Sequence, residues 1–195
     1  MRHTHYATAL VLALAVGTLV FYGLSHAGGG KAKGGSKEQV ERGRYLVMVG
    51  GCQDCHTPKT MGPKGPVFHP TKTLSGHQAD AKLPTVPEGV IGPEGWGALT
   101  NHDLTAWVGP WGISFAANIT PDEATGIGGW TEEQWIQTFR TGKHLGTGRD
   151  ILPPMPTTSL VKMTDEDLKA VFAYLKSIKP IRNVVPQPLP PPGKK

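Results

Sequence analysis

Apolar side chains recur at helical spacing near the end of the chain, where Leu168, Val171, Phe172, Leu175 and Ile178 fall on one face. Thr164-Asp165-Glu166-Asp167 marks the start of that helix, with acidic groups at its positive end, and Pro180 closes it. A second helix opens at Thr131-Glu132-Glu133-Gln134, runs through Trp135, Phe139 and Arg140, and ends at Gly142. A third opens at Ser36-Lys37-Glu38-Gln39, with Gln39 able to reach back to the cap amide, and runs to about Val49 before Gly50-Gly51. No convincing strand pattern appears. Residues 57–129 hold 12 Gly and 9 Pro among 73 positions. Turns such as Met61-Gly62-Pro63-Lys64-Gly65-Pro66 cannot sustain a helix. A loop of that length is unusual in a compact domain unless it wraps something, and short helical turns are expected around Thr100–Trp107.

The N-terminus follows a different pattern. A short polar start with Arg2 precedes an apolar run from Ala7 to Leu24, and Ser25-His26-Ala27 places small residues where a signal peptidase cuts. Residues 1–27 are read as a signal peptide or an N-terminal membrane anchor; the 18-residue run is long for the first and near the lower limit for the second. Residues 28–37 are a Gly/Lys linker by composition, and residues 38–180 form the folded domain. Residues 181–195 are a Pro-rich tail, in which 186–193 should be extended, polyproline-like and poorly packed.

A chain of 195 residues suits one domain plus extensions. Only 38% of residues are hydrophobic, while Gly (26) and Pro (18) are plentiful, so loops should dominate and the core should be small. The net charge of +5 is compatible with acidic partners or an anionic membrane surface. The basic residues are scattered and no nucleic-acid motif is present, so no nucleic-acid partner is expected.

Both cysteines of the chain lie in Cys52-Gln53-Asp54-Cys55-His56. The pattern C-x-x-C-H is the attachment pentad for c-type haem. Two thiols held along one edge of the ring can add to its vinyl groups, and the following imidazole can reach the iron. A structural zinc site would need a second pair of ligands, and a thioredoxin-like redox pair would need a βαβ setting. Neither context is visible. One covalent haem c is therefore expected, with Cys52 and Cys55 as its anchors and His56 as one axial ligand. It would also supply apolar area that the side chains lack, and its attachment outside the cytoplasm fits an exported chain.

The second axial position needs another donor if the iron is to transfer electrons rather than bind ligands. Met48 precedes the pentad on the same helix and should pack in the core. Met61 lies only five residues past His56, and Met163 adjoins the last helix. Met155, in Leu152-Pro153-Pro154-Met155-Pro156, is flanked by prolines that limit backbone freedom and can hold a sulfur rigidly. Met155 is the expected ligand. His69, His77, His102 and His144 are the fallback ligands.

The order of helix, C-x-x-C-H, loops, methionine loop and C-terminal helix resembles the class I, mitochondrial-type c cytochromes. Glu41-Arg42-Gly43-Arg44-Tyr45-Leu46 is similar to the family's first helix, whose glycine lets the last helix come close; here Phe172 or Tyr174 would make that crossing with Gly43. A narrower likeness, spanning roughly residues 38–180, is to bacterial monohaem cytochromes c and to the haem domains of membrane-bound dehydrogenase cytochrome subunits. It rests on Ala117-Asn118-Ile119-Thr120-Pro121-Asp122, Thr125-Gly126-Ile127-Gly128-Gly129-Trp130, Phe139-Arg140-Thr141-Gly142, Pro153-Pro154-Met155-Pro156 and Thr164-Asp165-Glu166-Asp167-Leu168. The resemblance implies a mainly α cytochrome c fold, with three or more helices and long Gly/Pro-rich loops wrapped around one haem. It places Asn118 and Trp130 beside the cofactor, behind its ligands. Two departures stand out. The dehydrogenase subunits typically carry three haem domains and this chain has one motif, and the 57–117 segment is longer than in the smallest family members.

The expected function is a monohaem cytochrome carrying single electrons between redox-partner proteins, periplasmic or tethered to the cytoplasmic membrane through residues 7–24, with no catalytic residue. Two alternatives remain open: a cytochrome subunit of a larger membrane redox complex, and a haem sensor or enzyme with an open iron site.

Overall fold

The computed structural model describes residues 35–191. Residues 1–34 and 192–195, which hold the signal or anchor segment and most of the linker, lie outside the described residues.

The three expected helices are present. Helix α1 spans Lys37–Val49 and is capped by Ser36, whose hydroxyl accepts from the Gln39 amide at 3.2 Å. The reciprocal half of that box does not form. The pentad lies on a separate short helix, α2, Cys52–His56, because Gly51 turns the chain with a φ of 65°. Helix α3 spans Glu132–Thr141 with a complete capping box: Thr131 Oγ1 accepts from the Gln134 amide at 3.1 Å and Gln134 Oε1 from the Thr131 amide at 3.0 Å. A single 3-10 turn covers His144–Gly146. Helix α4, Thr157–Leu160, follows the methionine loop. Helix α5, Asp165–Ser177, is capped by Thr164, which accepts from the Asp167 amide at 3.1 Å.

Helices α1 and α5 make the most extensive pairing in the fold. They meet at Gly43, where a methyl group would overlap the Ala170 carbonyl oxygen and stand 2.8 Å from Tyr174 Cβ. The partner is therefore Tyr174 with the Ala170 backbone. Val47, Leu74, Ile127, Trp135, Phe139, Leu168, Val171, Phe172 and Leu175 form one buried cluster beneath this crossing. The Trp135 ring meets Phe139 edge-on at 4.8 Å and stacks on Phe172 at 5.6 Å, and its Nε1–H donates to the Leu168 carbonyl at 2.9 Å. Such aromatic pairs add to area burial, and a buried indole N–H needs a partner of this kind.

Three expectations are corrected. First, strands do form, and all lie in the 57–117 segment. Strands β1 (Lys59–Gly62) and β2 (Gly65–Phe68) make one antiparallel hairpin; β3 (Leu99–Thr100), β4 (Ala106–Gly109) and β5 (Gly112–Phe115) make a second sheet in that order. Thr100–Trp107 is strand, turn and strand rather than helical turns. Gly62 faces Gly65 and Gly109 faces Gly112 across the two tight turns. Both turns read Gly-Pro-x-Gly, with proline and glycine at the places a type I turn favours. That signal was legible, but the strands between are only four residues long and carry no clear alternation. Second, Met48 is 57% exposed, because it stands one residue, about 100° of helical rotation, from the buried Val47. Third, the tail is extended and largely exposed over its described residues, as expected, but it is tied down at one point: Leu189 exchanges both backbone hydrogen bonds with Ile113 of β5, at 2.8 and 2.9 Å. Upstream of it, buried Asn183 donates to the carbonyls of Ser75 (2.7 Å) and His77 (2.8 Å) and accepts from the Ala79 amide (3.2 Å). No helix among the described residues is long and apolar enough to cross a membrane.

Candidate functional site

Helix α2 sets the spacing of the pentad. Its N-cap is the left-handed Gly51, and its five residues are too few for an independent helix, so the fold must hold it in place. Cys52 and Cys55 are partly buried and unpaired. Burial raises both thiol pKa values, and neighbouring Asp54 adds to the effect. Cys52 packs against the buried cluster.

His56 is 8% exposed, and its Nδ1 lies 2.8 Å from the Ala117 carbonyl oxygen. A carbonyl only accepts, so Nδ1 carries the proton and Nε2 keeps its lone pair. Burial also lowers the His56 pKa, more than the Ala117 bond raises it, which favours the neutral ring. A neutral imidazole oriented by a backbone carbonyl is the usual state of a metal-ligating histidine.

The long segment after the pentad holds this arrangement in place. The Gly76 amide donates to the His56 carbonyl at 2.8 Å, and the Leu74 amide to Thr57 Oγ1 at 2.9 Å. The His77 amide donates to the Ala116 carbonyl (2.9 Å), and the Ile119 amide to the Leu74 carbonyl (3.0 Å). Residues 74–77 thus lie between the chain around His56 and the chain at 116–119. Gly76 has a φ of +75°, and a methyl group there would sit 2.6 Å from the Ala117 carbonyl carbon and oxygen. Only glycine allows both that dihedral and that approach.

Asn118 is 4% exposed and ties three segments together. Its amide donates to Thr125 Oγ1 (3.1 Å) and the Ile181 carbonyl (2.8 Å), and its carbonyl oxygen accepts from the Thr120 amide (3.0 Å) and hydroxyl (2.7 Å). It therefore immobilises the residue next to the Ala117 carbonyl. Trp130 packs against the buried cluster and meets the His144 ring edge-on at 5.0 Å.

Met155 is half-buried and packs against the same buried cluster as Cys52. Met163 also packs there, while Met48 and Met61 are exposed. His77 is buried, with Nδ1 2.9 Å from Thr105 Oγ1 and its ring 4.8 Å from that of Phe115. His69 Nδ1 accepts from the Thr71 amide, and His102 and His144 are exposed. Among the described residues no group of three or more His, Cys, Asp and Glu side chains converges as a metal-ion site.

The donor set fits haem c: two free thiols, a neutral imidazole with one nitrogen left open, and a thioether against the same core. A separate cavity of about 240 Å³, lined by Leu83, Val86, Leu99, Trp107, Val108 and Ile113 among others, involves none of these residues.

No family model matches the chain. Among known proteins it is 29% identical over 164 residues to the gluconate 2-dehydrogenase cytochrome c subunit of Pantoea cypripedii, covering 84% of this chain and 27% of that one. It is 27% identical over 146 residues to the fructose dehydrogenase cytochrome subunit of Gluconobacter japonicus (74% and 22%). It is also 31% identical over 151 residues to a nicotinate dehydrogenase subunit of Pseudomonas putida (77% and 10%). The chain is related to cytochrome c subunits of dehydrogenases. It matches between a tenth and about a quarter of the length of these curated relatives.

Proposed function

We propose that this chain is a monohaem c-type cytochrome that carries single electrons between redox-partner proteins outside the cytoplasm. Cys52 and Cys55 would hold haem c through their sulfurs, and His56 and Met155 would supply the two protein ligands to its iron. The observation that carries the proposal is the His56 ring, held by Ala117 with Nε2 free, on the helix that presents both thiols. Haem c, when bound, supplies an iron that takes up and gives back one electron.

The chain's own residues do the rest. His56 is kept neutral by burial and oriented by the Ala117 carbonyl. Asn118 and Gly76 keep that carbonyl in place. Met155 offers a soft donor, which favours the reduced state over a second imidazole. With both ligands fixed by the fold, little rearrangement accompanies a change of charge.

Spectroscopy of the purified oxidised protein tests this. Low-spin iron with a sulfur-to-iron charge-transfer band is expected, together with one haem per chain by mass. Met155→Ala loses the band and keeps the haem. Retention of the band in that variant would remove Met155 from the site.

A second reading is favoured by the relatives, whose names describe subunits of dehydrogenases. In that setting the chemistry is the same, but the electron donor is a catalytic subunit held in a complex. Extraction in mild detergent separates the two: co-migration with a dehydrogenase subunit supports the complex, and a lone small species supports a free carrier.

A further inference from the structure

The loop that carries Met155 has few means of holding itself. Pro153, Pro154 and Pro156 have no backbone N–H, so three of its four central residues can donate nothing. The hold comes from the 57–117 segment. Ser114, on β5, is 6% exposed, and its hydroxyl donates to the Pro153 carbonyl oxygen at 2.5 Å. Ser114 Oγ in turn accepts from Trp111 Nε1–H at 3.2 Å. A hydroxyl has one proton. The Trp111 bond uses a lone pair and leaves that proton free for Pro153, whose carbonyl is much nearer than the alternative acceptor, the Trp107 carbonyl at 3.5 Å.

The strand beneath Ser114 is fixed on both edges. Trp107 faces Ser114 across the β4–β5 pair, while Ile113 exchanges two hydrogen bonds with Leu189 of the docked tail. The Ser114 hydroxyl therefore joins a strand paired on both edges to the carbonyl two residues before Met155. Beyond the methionine, the Met155 carbonyl accepts from the Thr157 amide at 2.8 Å at the start of α4.

We propose that Ser114 is a positioning residue for Met155, and that its bond to the Pro153 carbonyl governs how readily the thioether is displaced from the iron. The proposal rests on reading Met155 as an axial ligand. It gives the long 57–117 segment a role: it delivers a hydroxyl to a proline-rich loop that lacks donors of its own.

The test is an imidazole titration of the ferric holoprotein, followed by loss of the sulfur-to-iron band. To displace Met155, imidazole must also pull the loop from its anchor. Removing one part-buried hydrogen bond of ordinary net strength should tighten apparent imidazole binding about fivefold in Ser114→Ala. Ser114→Thr, which keeps the hydroxyl, should stay within about threefold of wild type, and Trp111→Phe should shift binding part of the way. Thr138→Val is the control. It removes another buried hydroxyl, which donates to the Gln134 carbonyl within α3, and should leave imidazole affinity unchanged. Equal affinities in wild type, Ser114→Ala and Trp111→Phe overturn the proposal, as does a Thr138→Val shift as large as that of Ser114→Ala. If Ser114→Ala yields no holoprotein, Trp111→Phe decides alone. A wild-type protein with no sulfur-to-iron band refutes the axial role of Met155 instead, which is a distinct result, and the Ser114 role falls with it.

Discussion

Gly43 and Ala170 meet backbone to backbone, with no room between them for a methyl group. This contact sets the closeness of α1 and α5, and Tyr174 Cβ closes its other side. Gly43→Ala gains up to about 1 kcal/mol in helix propensity. It also forces the two helices apart, at a typical overpacking cost of about 1–3 kcal/mol that can run higher where the obstacle is backbone. Net destabilisation is expected, and Gly43→Val should be worse. Guanidinium unfolding of the holoprotein checks this; an unchanged midpoint would show that the helices can separate freely.

Gly76 bears directly on the His56 anchor. Alanine there must adopt an unfavourable positive φ and press on the Ala117 carbonyl. Gly76→Ala should cost about 2 kcal/mol or more. Thermal unfolding measures the loss, and Gly65→Ala, also at positive φ but with open space around it, should cost less.

Arg140 holds the far end of the methionine segment. Its guanidinium donates to the carbonyls of Val161 and Met163, both at 2.8 Å, and to Asp165 at 2.5 Å. The Asp165 side chain is 53% exposed, so the ion pair itself is worth at most about 1 kcal/mol. Arg140→Ala should cost about 2 kcal/mol through the two carbonyl bonds, whereas Asp165→Asn should cost less than half as much. Equal losses in urea unfolding would assign the effect to the ion pair.

His77 predicts an acid-side loss of stability. Burial holds its pKa below the ordinary histidine value, against a weaker upward pull from Asp103. Unfolded His77 takes up a proton near pH 6.5, and the native protein does so only at lower pH. The unfolded state then binds more protons, so stability falls as pH drops below about 6.5 and levels off once the native pKa is passed. The slope from one such histidine is at most about 1.4 kcal/mol per pH unit. His77→Gln should flatten the acid limb between pH 7 and 5 in urea titrations. An unchanged limb would place the proton uptake elsewhere.

Local chemistry was readable from the residues alone. Ser36, Thr131 and Thr164 cap the helices they announce, because a cap depends on side chains within four positions of the helix start. The spacing of Cys52, Cys55 and His56 is equally local, and so is the proline setting of Met155. Gly43 was identifiable as a close-approach residue only through the family resemblance, which left its partner open between Phe172 and Tyr174.

The tertiary structure decided what depends on distant segments. The short strands of the 57–117 segment gain most of their definition from pairing and from the docked tail, neither of which leaves a periodic trace. Ala117 enters the site through a backbone carbonyl, which any residue type could provide. The bond between Ser114 and Pro153 joins residues 39 positions apart. A lone serine in a strand and a proline carbonyl carry no pattern that links them. The candidate donors and their spacing are thus a property of the sequence. Their orientation belongs to the folded chain, because it is set by hydrogen bonds to backbone groups that only folding brings together.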